Sequence, residues 1–380
     1  MSPIPGVVNR SEKSEGHRRS QGAGSPYWLS PEQEPEWDAF VLSHPQGSLY
    51  HTTEWKRVME QAFPHIRGRI FVLRMEDSGA IQAGLPVYRV NSWLLGSRLV
   101  SIPFATVCDP LVGGPAEWYS LAAELENERS TTRSKKFVLR AALTAGQVPP
   151  PFVGSSQFKH HGLQLDPDFD ALCRRFDKQS VRQKAEKARK AGVAVEEHSD
   201  AAGMAVSNEL LASTRRRLSL PPMPARFFES IQRNLRPEHL RIFLAYQKSQ
   251  PIACHIILIF KDLWISEYSG NADGAISGVN QLLYLETIRQ ACAAGAQKFS
   301  FGRTSIRNEG LLSYKRRWGT IEENLTDYTL LPNGRQEPQA ADNGSPSEDS
   351  GLYALCQRVI AKAPMPVCKM IGNFCYRHLG

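Results

Sequence analysis

Residues 299–319 read FSFGRTSIRNEGLLSYKRRWG, from Phe299 to Gly319. A short apolar strand, Lys298 to Phe301, stops at Gly302, and Arg303 and Arg307 follow in a loop. Tyr314-Lys315-Arg316-Arg317-Trp318-Gly319 then closes the segment. Cations this dense, set beside aromatic rings, suit an anion held in a partly closed site, because arginine forks onto phosphate or carboxylate and lysine adds a point charge. A solvated basic turn with a packed tryptophan is the plainer reading of the same run.

The residues before Lys298 give a helix over 280–294 that ends at Gly295. Before it lie three strands, at 240–246, 252–260 and 263–269, joined by tight Gln250-Pro251 and Lys261-Asp262 connections. Helices are expected at 202–218 and 224–234, a strand at 193–197, and one long basic helix over 168–191 ended by Gly192. The first half reads as a shorter version: helices at 31–43 and 54–63, a hairpin of strands at 69–76 and 81–90, and a strand at 98–102. Helices follow at about 116–127 and 130–145. The pattern is a weak internal repeat of the α+β kind.

The chain has 380 residues, enough for about two domains. The expected division is a disordered tail at 1–24, domains at 25–150 and 151–332, a linker at 333–350 and a basic helical tail at 351–380. The Pro149-Pro150-Pro151 run marks the seam. Hydrophobic residues make up 41% and charged residues 22%, which excludes a wholly disordered or fibrous chain. No apolar run reaches the roughly 18–20 residues of a membrane span. The N-terminus lacks the apolar core of a secretory signal, so a cytoplasmic location is expected.

The formal charge is +8, but it is local: Arg174 to Lys190 carries eight cations against Asp177 and Glu186, a net +6. That favours one anionic ligand face over general nucleic-acid coating. Seven scattered cysteines form no C-x-x-C pair, so neither a zinc site nor a disulfide framework is expected. No G-x-S-x-G, H-E-x-x-H or P-loop occurs. His160-His161 reads as surface. Ser269 to Gly274, with Gly278 ahead of the next helix, is a candidate anion-binding turn or a plain strand-to-helix connection. The Arg/Gln-x-x-Gly-x-Gly/Ala fingerprint of acetyl-CoA sites is absent.

Strand, helix, strand, Gly302-Arg303 and then Tyr314 to Gly319 resembles the second domain of the Fem-type peptidoglycan-bridge aminoacyltransferases. More narrowly it resembles the FemAB-like proteins of exosortase (PEP-CTERM) and exopolysaccharide systems. His51 to Trp55, Gly84 to Val87, Leu99 to Phe104, the basic helix Val181 to Gly192 and Ala363 to Pro366 match in the same order. The resemblance spans about residues 27–380. It implies an α+β fold of two tandem GNAT-like (acyl-CoA N-acyltransferase) domains, each a mixed sheet flanked by helices. It implies transfer of an aminoacyl or acyl group to an amine of a peptidoglycan or exopolysaccharide precursor.

Under that resemblance Lys315 is the catalytic group, an ammonium aimed at the developing oxyanion. Trp55, Lys56, Arg217, Phe228, Tyr268, Asn271, Arg303, Tyr314 and Arg316 are the candidate substrate contacts, with Arg217 at a diphosphate. No metal and no resident cofactor are expected, and the donor is aminoacyl-tRNA or acyl-CoA. Met59 stands where relatives often carry a lysine, with Lys56 and Arg57 nearby. Two other functions remain open at this level: a non-catalytic module of an exopolysaccharide assembly, and an RNA-binding protein using the basic helix. Residues 351–380, with four cations and no acid, are expected either to pack on the first domain or to touch the inner membrane surface.

Overall fold

The computed structural model describes residues 25–142, 147–148, 151–331 and 351–380. The expected tail at 1–24 and linker at 333–350 lie outside the described residues, as do Pro149 and Pro150 of the seam. The first half runs β1 (Tyr27–Trp28), α1 (Glu34–Ser43), α2 (Thr53–Ala62), β2 (Ile66–Arg74), β3 (Ile81–Ser92), β4 (Gly96–Val100), α3 (Pro115–Thr131) and β5 (Phe137–Ala141). The second runs β6 (Val153–Gln164), α4 (Phe169–Arg175), α5 (Lys184–Lys190), β7 (Val193–His198), α6 (Ala201–Arg217) and α7 (Ala225–Asn234). It continues with β8 (Leu240–Gln247), β9 (Gln250–Phe260), β10 (Leu263–Asn271), α8 (Val279–Ala293), β11 (Lys298–Ser305), α9 (Glu309–Arg316) and β12 (Ile321–Leu330). The chain ends in α10 (Gly351–Lys362) and α11 (Met365–Cys375).

All twelve strands join one sheet, in the order β1-β2-β3-β4-β5-β12-β6-β11-β10-β9-β8-β7. The repeat is plain in this order. A three-strand meander, a helix and a fourth strand recur as β2-β3-β4-α3-β5 and β8-β9-β10-α8-β11. In each copy the fourth strand lies parallel to the third, β5 on β4 and β11 on β10, while the other pairs are antiparallel. A parallel neighbour needs a crossover, and α3 and α8 supply it. β12 lies between β5 and β6 and so joins the halves into a continuous sheet.

Four expectations are corrected here. Residues 137–141 form a strand rather than part of a helix over 130–145: Phe137, Val138 and Leu139 are buried in succession between β4 and β12, as a central strand requires. The basic segment is not one helix over 168–191. Phe176 is extended, and the Asp177 carboxylate takes the Ser180 N–H at 2.6 Å, which caps a new wide turn over 178–183 leading into α5. The Arg303–Arg317 segment holds α9, capped by Asn308 at 3.0 Å from Leu311 N, and β12 follows where no strand was expected. His161 is fully buried rather than on the surface, with Nδ1 at 3.2 Å from Thr320 Oγ1.

One apolar cluster spans both halves, from Trp37 and Trp55 through Phe227 to Tyr376. Trp55 on α2 meets Phe227 on α7 edge-on at 6.4 Å, so the helix that precedes each meander packs against its counterpart. The second half has its own cluster around Phe176, Leu283 and Trp318.

Candidate functional site

β10 and β11 pair only from Leu263↔Lys298 to Ile265↔Ser300. Beyond that point each strand carries an irregularity, between Ser266 and Tyr268 on one and between Ser300 and Arg303 on the other. A bulge re-aims side chains and ends pairing. The two strands therefore diverge, and a cavity of about 570 Å³ opens where they part. Its walls come from β10, β11, α6 and the first-half residues Phe104, Ala105 and Thr106, with Tyr376 of the C-terminal segment.

Each bulge is held in place. His255 Nε2 is 2.7 Å from Ser266 Oγ, and its Nδ1 is 3.2 Å from Thr287 Oγ1, which itself donates to Leu283 O. Burial pushes His255 down to about 3, so the ring is neutral; Nδ1 carries the proton and Nε2 accepts from Ser266. On the other strand Ser300 Oγ contacts His160 Nε2 at 2.8 Å and accepts the Gly302 N–H at 3.1 Å. Gly302 has φ +68°, a left-handed conformation that suits glycine.

Glu267 is the residue carried by the β10 bulge. Tyr50 Oη donates to its Oε2 at 2.5 Å, and Tyr268 flanks the same carboxyl. Burial raises its pKa to about 7, against the opposing pull of the Tyr50 hydrogen bond and the Lys315 charge. Lys315, at the end of α9, reaches behind the β11 bulge. Its Nζ donates to the carbonyls of Phe301, Gly302 (3.1 Å) and Arg303 (3.3 Å). Burial lowers its pKa to about 7, and the Glu267 charge opposes that shift. A carboxyl that lines the cavity and an amine behind its wall are thus both poised near neutrality where the strands part.

The structure brings some of the expected residues to this place and leaves others elsewhere. Phe228, Tyr268 and Arg303 line the cavity. The Arg303 guanidinium lies 3.6 Å over the Phe158 ring and donates to Asp327 at 3.0 Å. Lys315 sits directly behind the wall, with its three protons on three carbonyls. A hydrogen bond from it to a reacting oxygen requires one of them to be released. Tyr314 is half-buried, packed against Tyr284 and Trp318. Trp55 is core, and Lys56 pairs with Glu34 at 2.9 Å and Glu60 at 3.3 Å. Arg217 is tied to Asn271 Oδ1 at 2.5 Å and to Asp273 at 2.9 Å, a closed cluster at the end of α6. Arg316 is spent on Glu322 at 2.8 Å.

Two cavity residues were not singled out as site residues in the sequence. Glu267 had a signal: the one charged residue in the strand LWISEYSGN, after its apolar Leu263-Trp264-Ile265 start. Arg215 stands in the Arg215-Arg216-Arg217 run of the last turn of α6. It lines the cavity and spends Nε on Pro221 O at 2.7 Å, while its terminal nitrogens have no hydrogen bond among the described residues.

Residues 175–316 match the family model of the acetyltransferase (GNAT) domain. No curated protein matches the chain. Among solved structures, FemX is 15% identical, with 81% of this chain and 98% of that one covered at a TM-score of 0.62. L-PGS from Bacillus licheniformis is 12% identical, covering 88% and 98% at 0.54. A tandem GNAT protein from the clavulanic acid biosynthesis pathway is 10% identical, covering 83% and 100% at 0.53. The fold is α+β and GNAT-like, in tandem.

Proposed function

We propose that the protein is an N-acyltransferase that moves an aminoacyl or acyl group onto the amine of a cell-envelope precursor, a peptidoglycan or exopolysaccharide intermediate. The observation that carries this reading is Glu267: a buried carboxyl with a pKa of about 7, facing the cavity at the opening of a GNAT-type strand pair. An acceptor amine arrives as an ammonium and must lose a proton before it can attack. A base with a pKa near the working pH does this best. The neutral amine then attacks the donor carbonyl, the new C–N bond forms, and the old C–O or C–S bond breaks. The proton taken by Glu267 ends on the leaving alkoxide or thiolate, so no covalent enzyme intermediate is required. Lys315 holds three consecutive carbonyls of the β11 bulge and balances the charge of Glu267; Arg215 is placed for an acidic group of the substrate.

Aminoacyl-tRNA is the donor this reading favours over acyl-CoA. The turn before a helix such as α8 would cradle a CoA diphosphate. Here Gly278 (φ +93°) backs onto the carbonyl of Lys184 so closely that a Cβ would come within 2.0 Å of it. A groove lined by Lys178, Arg182, Lys187 and Lys190, with Glu186 the one acid among them, lies nearby on α5 and the turn before it, suited to a polyanion. By name, one solved relative of the fold, from Agrobacterium fabrum, is a putative lysylphosphatidylglycerol synthetase, which accords with aminoacyl transfer. Membership of the exosortase-associated branch is part of the same proposal and rests on the sequence resemblance.

The test is binding of the purified protein to charged tRNA, uncharged tRNA and acyl-CoA at two salt concentrations, followed by transfer to amine-bearing precursors. Selective binding of charged tRNA is expected. Binding of acyl-CoA alone would replace the donor. Transfer that survives both Glu267→Gln and Lys315→Ala would defeat the catalytic assignment.

A further inference from the structure

Among the described residues, several exposed large apolar side chains lie together. Trp93 (80% exposed), Leu94 and Leu95 form the tip of the β3–β4 turn. Met370 and Phe374 lie one helical turn apart on the outer face of α11 and are also exposed. His378 joins the two sets. Its ring sits 5.1 Å from Trp93 and 5.1 Å from Phe374, and its Nδ1 is 2.9 Å from Ser92 Oγ, which in turn accepts from Leu94 N and Leu95 N. The turn and the helix thus form one rigid apolar surface, drawn from opposite ends of the sequence.

The surroundings of this surface are basic. Residues 91–98, 133–136 and 365–380 contain no Asp or Glu; Arg133, Lys135, Lys136 and Arg377 supply the positive charge, while Lys369 pairs with Glu209 at 2.5 Å and Arg98 is buried on the carbonyls of His378 and Gly380. Lys135 Nζ reaches over the turn to Leu95 O at 2.8 Å. Arg377 lies close enough to Arg226 on α7 for the two charges to interact unfavourably. Neither of these two guanidiniums has a hydrogen bond or ion pair among the described residues, and Arg226 Nε and Nη2 are buried without a partner. Two neighbouring cations with no acid form a place for an anion.

We infer that this face docks on an anionic lipid bilayer, with Trp93, Leu94, Leu95, Met370 and Phe374 entering the interface and Arg377 and Lys135 meeting lipid phosphate. A tryptophan at an exposed turn tip, with a belt of cations around it, is what the headgroup region favours. No helix among the described residues is long and apolar enough to cross a membrane, so the contact is peripheral. The same segment reaches the proposed acyl-transfer cavity: Tyr376 and Leu379 line it, two residues from Phe374 and one from His378. Docking would therefore hold the cavity close to the headgroup layer. The surface itself does not depend on the catalytic reading.

The experiment is co-sedimentation of the full chain with vesicles of phosphatidylcholine alone and of phosphatidylcholine mixed with phosphatidylglycerol. Brominated lipids are used in a parallel fluorescence measurement. Binding to the mixed vesicles is expected, with bromine quenching of Trp93 emission; five of the other tryptophans are buried and Trp28 is half-buried. Trp93→Ser with Phe374→Ser is expected to lower partitioning by about tenfold or more. Arg377→Glu should weaken binding to mixed vesicles only. Unchanged thermal melting keeps a folding defect apart from a docking defect. Absence of binding by the parent protein overturns the inference. So does binding lost through Lys187→Glu and Lys190→Glu but kept in Trp93→Ser, which would place adsorption on α5. A dimer in light scattering that Trp93→Ser dissociates would make this face a self-interface and also overturn it.

Discussion

The sheet contains two parallel strand pairs that begin alike and end differently. In the first half β4 and β5 pair at Leu99↔Phe137 and Val100↔Val138, and the chain after β4 then stays on β5. Ser101 N donates to Val138 O at 2.9 Å, Cys108 N donates to Arg140 O at 2.9 Å, and Arg140 N donates to Ser101 Oγ at 3.1 Å. Residues 101–109 fill the space that opens after β10 and β11 in the second half. There β10 stays with β9, β11 stays with β6, and the gap becomes the cavity that Glu267 faces. One arrangement of strands thus yields a closed scaffold where a loop heals the gap. It yields a site where two bulges hold the gap open. The closed copy is still used, since its filling loop presents Phe104, Ala105 and Thr106 as the opposite wall.

The largest effect expected from this contrast is loss of transfer in Glu267→Gln. Removal of a positioned general base costs about 10²–10⁴-fold in rate, measured as single-turnover aminoacyl transfer. The fold should persist. The raised pKa of Glu267 means that the folded chain binds its proton more tightly than the unfolded chain does. Ionisation between the usual carboxylate range and about 7 therefore works against folding, so this residue's contribution falls as pH rises through that window. Glu267→Gln removes the penalty, and its melting temperature at pH 8 should equal or exceed that of the parent. A large drop in melting temperature would mean that the carboxyl is structural.

The pH profile is the next discriminator. Transfer should fall as the pH drops through about 7, where Glu267 takes up its proton. It should fall again above about 7 as Lys315 loses its charge and the three bulge carbonyls lose an ammonium donor. A bell centred near neutrality is the expected result, and Glu267→Gln should abolish its acid limb. A flat profile over the same range would remove both groups from the rate-limiting step.

The repeat and the strand–helix–strand core were legible because they rest on local signals: alternating apolar residues and a Gly stop. Arg303, Phe228 and Tyr268 line the cavity, and each lies on or beside an element read from those signals. β12 was not legible. Its exposed Ile321 and its acids give a poor strand pattern, and it forms because β5 and β6 both need a partner. Glu267 needed the bulge before its direction had meaning. Arg217, Asn271 and Lys56 have the right chemistry, but acids and amides beside them take up their hydrogen bonds. No local pattern announces such a pairing.

Gly278→Ala sharpens the contrast from the packing side. The substituted carbon would meet Lys184 O at 2.0 Å on a backbone of φ +93°, so α5 and α8 must separate. Left-handed strain alone costs about 1–2 kcal/mol, and the clash adds to it. The expected outcome is a marked fall in chemical-denaturation midpoint. Gly302→Ala provides the control. It carries the same kind of strain at φ +68°, but its nearest neighbour is Ser266 O at an ordinary 3.6 Å. Its stability loss should stay near the strain figure, with slower transfer because its carbonyl is one that Lys315 holds.

The smallest effect is the one that tests whether the first copy is only a scaffold. Ser101 is fully buried where β4 ends, and its hydroxyl accepts the Arg140 N–H that keeps the filling loop on β5. Ser101→Ala removes that acceptor without leaving a cavity, since alanine keeps the Cβ. Leaving the Arg140 N–H without this acceptor costs about 1–3 kcal/mol. The midpoint of denaturation should therefore fall by that amount, while transfer under saturating substrate stays within about twofold of the parent, a small part of the range that a catalytic group commands. The same serine position relative to its strand pair in the second copy is Ser266, where the hydroxyl supports the bulge beneath Glu267. Ser266→Ala should lose far more activity than stability. If Ser101→Ala instead impairs transfer as strongly as Ser266→Ala, the filled gap takes part in the reaction, and the two halves of the sheet work as one site.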